Sequence, residues 1–179
     1  MLALGTQIPE FSLPDTVSGR IVASSTLLGK PAVVFFICNH CPFVMHIRAG
    51  IADFGQLCEE RGVAMVAISS NDANAYPADA PLAMTVEAKE AGYAFPYLFD
   101  ESQSVARAFD AACTPDLYIF DEHGKLAYRG QFDGARPGND VPVSGRDARA
   151  AVEALLAGAS PSEDQIPSIG CNIKWRTER

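Results

Sequence analysis

The longest unbroken apolar stretch is Ala32-Val-Val-Phe-Phe-Ile-Cys38, and it shows no alternation. A strand wetted on one face alternates, whereas a strand covered on both faces does not. This run is expected to be a central strand. Beyond it, Val44, Ile47, Ile51, Phe54 and Cys58 recur at spacings of three and four, the period of a helix with one buried stripe. Arg61-Gly62 closes that helix, with Gly62 suited to a left-handed end. Val63–Ser70 reads as a second buried strand and Asn71–Pro81 as a polar loop. Leu82–Ala91 reads as a helix ending at Gly92, Tyr97–Phe99 as a short strand and Ser102–Ala112 as a helix. Asp116–Phe120 and Leu126–Phe132 read as strands joined by the turn Asp121-Glu-His-Gly-Lys125. Ser144-x-x-Asp147 has the form of a capping box for a helix over 145–157, ending at Gly158. Near the N-terminus, Phe11-Ser-Leu-Pro-Asp15 and Arg20–Ala23 flank Val17-Ser-Gly19 as a hairpin.

This order predicts an α/β fold with a mixed central sheet and helices on both faces. Residues 1–159 form the domain, and 160–179 form a tail packed on it or extending from it. The chain of 179 residues is long enough for one sizeable core, and 48% apolar with 20% charged residues suits a soluble globular protein. Net charge is −8 and Lys and Arg do not cluster, which argues against a nucleic-acid partner. No apolar run approaches the length of a membrane span. Met1-Leu-Ala-Leu-Gly-Thr-Gln has no basic leader, so the expectation is a cytoplasmic protein with no membrane partner.

The cysteines are Cys38, Cys41, Cys58, Cys113 and Cys171. An odd count in a chain of this size argues against a structural disulfide framework. Cys38-Asn39-His40-Cys41 follows the central strand and opens the striped helix. A helix N-terminus offers unpaired N–H groups and partial positive charge, both of which favour thiolate over thiol. The expected nucleophile is Cys38, at the strand end. Cys41 is expected one turn inside the helix as the resolving thiol. His40 can supply a cation or proton beside Cys38. Pro42 stands in the first turn, where a missing N–H costs least.

Zinc is the competing use of the motif, but His46 supplies only a third ligand, position 51 is Ile51, and no second Cys-x-x-Cys exists. No metal and no organic cofactor is expected. Cys58 belongs to the apolar stripe. His46 and His123 are expected in solvent. Cys113, two residues before Pro115, is either a further redox thiol or a packed one. Cys171, in the tail, either resolves an oxidised partner or docks with Trp175. Ser69-Ser-Asn-Asp72 either shapes a substrate groove or caps the strand.

The stretches Phe36-Ile-Cys-Asn-His-Cys-Pro42, Ser69-Ser-Asn-Asp72 with Tyr76-Pro77, Phe95-Pro-Tyr-Leu98, Cys113-Thr-Pro-Asp116, Tyr128-Arg-Gly-Gln-Phe-Asp133 and Ser168-Ile-Gly-Cys-Asn-Ile-Lys-Trp175 resemble a known group. The chain is similar to thioredoxin-fold proteins of the alkyl hydroperoxide reductase/thiol-specific antioxidant superfamily, in its peroxiredoxin-like, thioredoxin-family group. The resemblance implies a thioredoxin-like three-layer sandwich with an N-terminal β-hairpin extension. It also implies a cis-proline at Pro115 facing the dithiol, with the Thr114 backbone free to pair with an extended substrate. The chain departs from peroxiredoxins in carrying Phe35 or Cys38 where they place a peroxide-binding hydroxyl. It departs from thioredoxins in having Ile37 for the tryptophan and no acid in Ala32–Ile37.

The expected function is a thiol–disulfide oxidoreductase cycling Cys38 and Cys41, with Asn39, His40, Thr114 and Pro115 in support and Cys113 and Cys171 as further redox thiols. The His before the second Cys suggests a potential more oxidising than thioredoxin's. Its partners would be a protein or small-molecule disulfide and a thiol electron donor. The alternative is a thiol-dependent peroxidase. A third class is copper delivery: such proteins on this fold use two cysteines before a proline and a remote His, which Cys41-Pro42 and His123 resemble with a shorter cysteine spacing.

Overall fold

The computed structural model describes residues 2–177. Its strands are β1 (Ser12–Pro14), β2 (Ile21–Ala23), β3 (Ala32–Phe36), β4 (Ala64–Ser69), β5 (Tyr97–Phe99), β6 (Cys113–Thr114), β7 (Asp116–Phe120), β8 (Leu126–Gly130) and β9 (Cys171–Asn172). Its helices are α1 (Pro42–Glu60), α2 (Pro81–Ala91), α3 (Ser104–Ala108) and α4 (Arg146–Leu156). The central sheet runs β5-β4-β3-β7-β8. β3 is parallel to β4 and antiparallel to β7, so the sheet is mixed.

The continuous apolar run of β3 is explained by cover on both sides. Val33 and Phe35 pack with Val44, Ile51 and Phe54 of α1, Met84 of α2 and Val152 of α4. Ala32, Val34 and Phe36 pack with Val105 of α3, Phe109, and Ile8, Phe11 and Leu13 of the N-terminal segment. The fold is the thioredoxin-like three-layer sandwich. The hairpin β1–β2 is a separate two-stranded sheet whose Asp15 bridges Leu98. Thr16 N–H donates to Tyr97 O at 3.0 Å, so the hairpin covers the edge strand β5. Among the described residues, no helix is long and apolar enough to cross a membrane.

The α1 stripe is buried as its spacing predicts, and Gly62 ends the helix at φ 70° with Val63 N–H reaching Cys58 O at 2.8 Å. Four expectations need correction. The helix expected over 102–112 is only Ser104–Ala108. Asp110 takes the left-handed position at φ 51°, and Ala111 N–H bonds to Ala106 O at 2.9 Å, so the chain stops without a glycine to announce it. The capping box does not form, because α4 is capped by Gly145 and has no side-chain cap bond. Asp133 instead takes the N–H groups of Ser144 and Gly145 at 2.7 and 2.6 Å, while Asp147 accepts from Gln131. The loop 71–81 is not simply polar surface, since Asn71 and Asp79 are buried in it. The strand expected over 126–132 ends at Gly130, after which Gln131 N–H donates to Ile166 O of the tail at 2.7 Å.

Candidate active site

The site lies where β3 and β4 end, α1 begins and the β6–β7 loop turns. Ile37 N–H donates to Ile68 O at 3.0 Å and continues the parallel pairing to the last residue before Cys38. Cys38 and Cys41 are both buried, at 2% and 0% exposure. The helix starts at Pro42, so Cys41 is its N-cap and Cys38 lies three residues outside. This corrects the expected placement of Cys41 one turn inside: the helix amides serve Cys41, not Cys38. Proline at the first helical position is the local reason, since it tolerates the missing donor and sets φ for a start there.

The charge preference follows. Cys41 is lowered to about 4 because it accepts hydrogen bonds from the Cys38 thiol, from the Val44 amide at the third helical position and from the Cys171 amide and thiol. Cys38 is raised, first by holding the shared proton toward Cys41, then by burial and the Asp79 carboxylate. The Thr114 carbonyl, 3.1 Å from Cys41 Sγ, takes the thiol proton in the neutral form and opposes ionisation. The donors outnumber it, so within the pair the arrangement favours the charge on Cys41 and the proton on Cys38. Cys38 Sγ also lies 3.4 Å from the Thr114 hydroxyl.

The acid missing from β3 is supplied from elsewhere. Asp79 is fully buried, takes Asn39 N–H on Oδ1 and Asn71 Nδ2 on Oδ2, both at 2.8 Å, and has His40 Nδ1 2.6 Å from Oδ2. The His40 contact is close but out of line for a well-directed hydrogen bond. His40 stacks on Tyr76 with ring centroids 5.2 Å apart. Asn39 is fixed by Tyr97 OH, which donates to Oδ1 at 3.0 Å, and by its own Nδ2 donating to Ala78 O at 2.7 Å. Sequence reasoning missed Asp79, and it reached Asn71 and Tyr97 only as members of the stretches 69–72 and 95–98, without a role for either side chain. The available signal was the pair of prolines, Pro77 and Pro81, which pin a short acidic loop. Nothing local says that the loop folds inward.

The Thr114-Pro115 bond is cis and stands against both sulfurs, as the resemblance implied. The Thr114 backbone is not open to a substrate strand, however. β6 pairs antiparallel with β9, Thr114 opposite Cys171, so the chain's own tail occupies that edge. Cys171 is half-buried and packs against the core cluster that contains Cys38 and Cys41. Cys113 is buried and pushed up to about 12, by burial first and then by Asp116. Cys58 is likewise pushed up to about 12 by burial, as its place on the apolar stripe requires. His46 and His123 are exposed and remote. Ser69 and Ser70 are buried, and Ser70 Oγ donates to Asp100 at 2.9 Å, so these two close the strand, while Asn71 turns to Asp79 in the site.

Among the described residues, Cys38 Sγ, a His40 ring nitrogen and an Asp79 oxygen lie within 4.8 Å of one another and could hold a metal ion. The set suits zinc or copper chemically. The direct His40–Asp79 approach of 2.6 Å is tighter than the spacing of about 3.3 Å between ligands of a tetrahedral zinc, so an ion would have to open the cluster.

No curated protein matches the chain. A crystal structure of an uncharacterized conserved protein from Geobacillus kaustophilus is 49% identical, with a TM-score of 0.97 over 100% of this chain and 95% of that one. A hypothetical protein from Sinorhizobium meliloti 1021 is 47% identical, with a TM-score of 0.96 over 99% and 97%. The thioredoxin domain of a thiol-disulfide oxidoreductase from Bacteroides vulgatus shares the fold at 16% identity, with a TM-score of 0.61 over 72% and 89%. The AhpC/TSA family matches residues 4–129, a span that includes the dithiol, Asp79 and the cis-proline. The chain belongs to the AhpC/TSA family, on the thioredoxin-like fold.

Proposed function

We propose that the protein is a thiol–disulfide oxidoreductase that cycles Cys38 and Cys41 between dithiol and disulfide. The observation that carries the reading is the buried sulfur pair at a helix N-cap, with a cis-proline on one side and the Asp79–His40 pair on the other. The Cys41 thiolate attacks one sulfur of a substrate disulfide, and the other half leaves as a thiolate. Cys38 then gives its proton toward Asp79 and His40, attacks Cys41 Sγ and releases the second half. Two thiols of the protein are oxidised and one substrate disulfide is reduced to two thiols. This order of attack reverses the one expected from sequence, because the helix amides serve Cys41.

The substrate class is a low-molecular-weight disulfide, since the edge that would pair with a peptide already holds β9. A second reading, a thiol-dependent peroxidase, is favoured by the donors converging on Cys41. There the thiolate takes one peroxide oxygen to become a sulfenic acid, and Cys38 condenses with it to release water. The test is stopped-flow oxidation of the reduced protein by a small disulfide and by hydrogen peroxide, in parallel, with peptide mapping of the products. Fast exchange with the disulfide ending in Cys38–Cys41 is the expected result. Fast reaction with peroxide alone would transfer the assignment to the second reading, and failure of both oxidants to join Cys38 to Cys41 would overturn both.

A further inference from the structure

The sulfurs of Cys38, Cys41 and Cys171 are not equally reachable from solvent. Cys38 and Cys41 are buried, while Cys171 is only half-buried. An external thiol therefore reaches Cys171 with less rearrangement than it needs to reach Cys38 or Cys41. The tail that carries it is anchored on both sides. Before it, Ser168 Oγ donates to Gly130 O at 2.8 Å. After it, Ile173 is 3% exposed in the core below the sheet. Lys174 N–H donates to Asn71 Oδ1 at 2.8 Å, and Lys174 O accepts from Gln103 Nε2 and Asp72 N–H, both at 2.9 Å. Between these anchors, Cys171 sits opposite Thr114 and packs against the core cluster that contains Cys38 and Cys41, in keeping with its part in holding the charge on Cys41. Thr114 is also the residue whose carbonyl lies 3.1 Å from Cys41 Sγ, so the strand pairing brings Cys171 and Cys41 to the same residue of the cis-proline loop.

We propose that Cys171 is a third catalytic thiol, the port through which an external thiol reduces the buried dithiol. The inference rests on the oxidoreductase reading above for the oxidation that precedes it. Cys171, deprotonated, attacks Cys41 Sγ of the Cys38–Cys41 disulfide. The Cys41–Cys171 bond forms, the Cys38–Cys41 bond breaks, and Cys38 leaves as a thiolate that takes up the proton Cys171 released. No net oxidation occurs in this step. A small thiol donor then attacks Cys171 Sγ, making a mixed disulfide with the donor and releasing Cys41 as the thiolate its donors already favour. A second donor thiol frees Cys171 and leaves as part of the donor disulfide. The tail thus stands in the place where a substrate strand would lie, with its cysteine aimed at the same sulfur.

The test uses the full chain as wild type, Cys171→Ser, Cys171→Ala, Cys38→Ser and Cys113→Ser. Each is treated with one equivalent of a small disulfide, mapped without reduction, and then reduced with glutathione. The expected result is a Cys41–Cys171 bond in Cys38→Ser and the same bonds in Cys113→Ser as in wild type. The Cys171 variants should accumulate Cys38–Cys41 and undergo reduction slower by about tenfold or more. Circular dichroism on both Cys171 variants separates loss of the thiol from loss of the fold. Absence of Cys41–Cys171 in Cys38→Ser, or reduction of folded Cys171 variants at the wild-type rate, would overturn the inference while leaving the oxidoreductase reading intact. Wild type that never forms Cys38–Cys41, beside Cys38→Ser that does join Cys41 to Cys171, would sink that reading and keep the contact.

Discussion

Replacing Gly170 by alanine places a methyl group against the backbone of the cis-proline loop. A Cβ at this position would overlap the Thr114 carbonyl oxygen, stand 2.5 Å from its carbon and 3.0 Å from Pro115 Cδ. A carbonyl in a paired strand cannot rotate aside, so the tail itself must move. Overpacking of this kind costs about 1–3 kcal/mol. Against it stand the anchors around Lys174 and Gln131, at about 1 kcal/mol per hydrogen bond, and the burial of Ile173, at about 1.5–3 kcal/mol. The anchors together outweigh the clash. The tail should therefore stay attached at both ends and bow outward around residue 170, carrying Cys171 off Cys41. For a chain of this size each kcal/mol moves the midpoint by about 2–4 °C, so the midpoint should fall by about 2–12 °C. The assay pairs a thermal melt with mass-resolved alkylation of the reduced protein at fixed pH, where Cys171 should react faster than in wild type. An unchanged melt together with unchanged Cys171 reactivity would refute the reasoning that the tail lies tightly on Thr114.

Three further outcomes follow from the site. Cys41 is lowered from the ordinary 9.0 to about 4, so the unfolded chain binds more protons between those values, and stability from this ionisation is full above pH 9 and lost as pH falls toward 4. Cys41→Ser should flatten that rise and remove the thiolate ultraviolet absorbance at neutral pH; absorbance that persists in this variant but vanishes in Cys38→Ser would show that the charge sits on Cys38. Asp79→Asn removes the carboxylate that faces Cys38 and should slow its resolving attack by about 10²-fold, shown by accumulation of the Cys41 mixed disulfide in a Cys171→Ser background; no accumulation would remove Asp79 from the proton path. Arg129 is buried beside Asp116 at 3.4 Å and lies over the Tyr118 ring at 4.9 Å, so Arg129→Met strands a buried carboxylate next to Pro115 and should cost about 3–5 kcal/mol in denaturant unfolding; a loss under about 1 kcal/mol would show that Asp116 is carried by its other donors.

Local sequence was enough wherever one element's own residues decide its structure. The two-sided burial of β3 is written in its lack of alternation, the face of α1 in Val44, Ile47, Ile51, Phe54 and Cys58, and the end of α1 in Gly62. The dithiol itself is visible as a spacing, and the facing proline as a resemblance. Tertiary structure decided whatever depends on contacts between distant segments. Asp79 is an unremarkable acid until its loop folds under Asn39 and His40, forty residues earlier in the chain. The start of α1 at Pro42, and hence which sulfur receives the helix amides, turns on a shift of a few residues that periodicity does not resolve. The tail reads as polar and irregular because its partners, Thr114, Asn71 and Gln103, lie far away in sequence. Burial periodicity is a property of one segment and survives in the order of residues. A site built from five segments exists only when the chain has closed on itself.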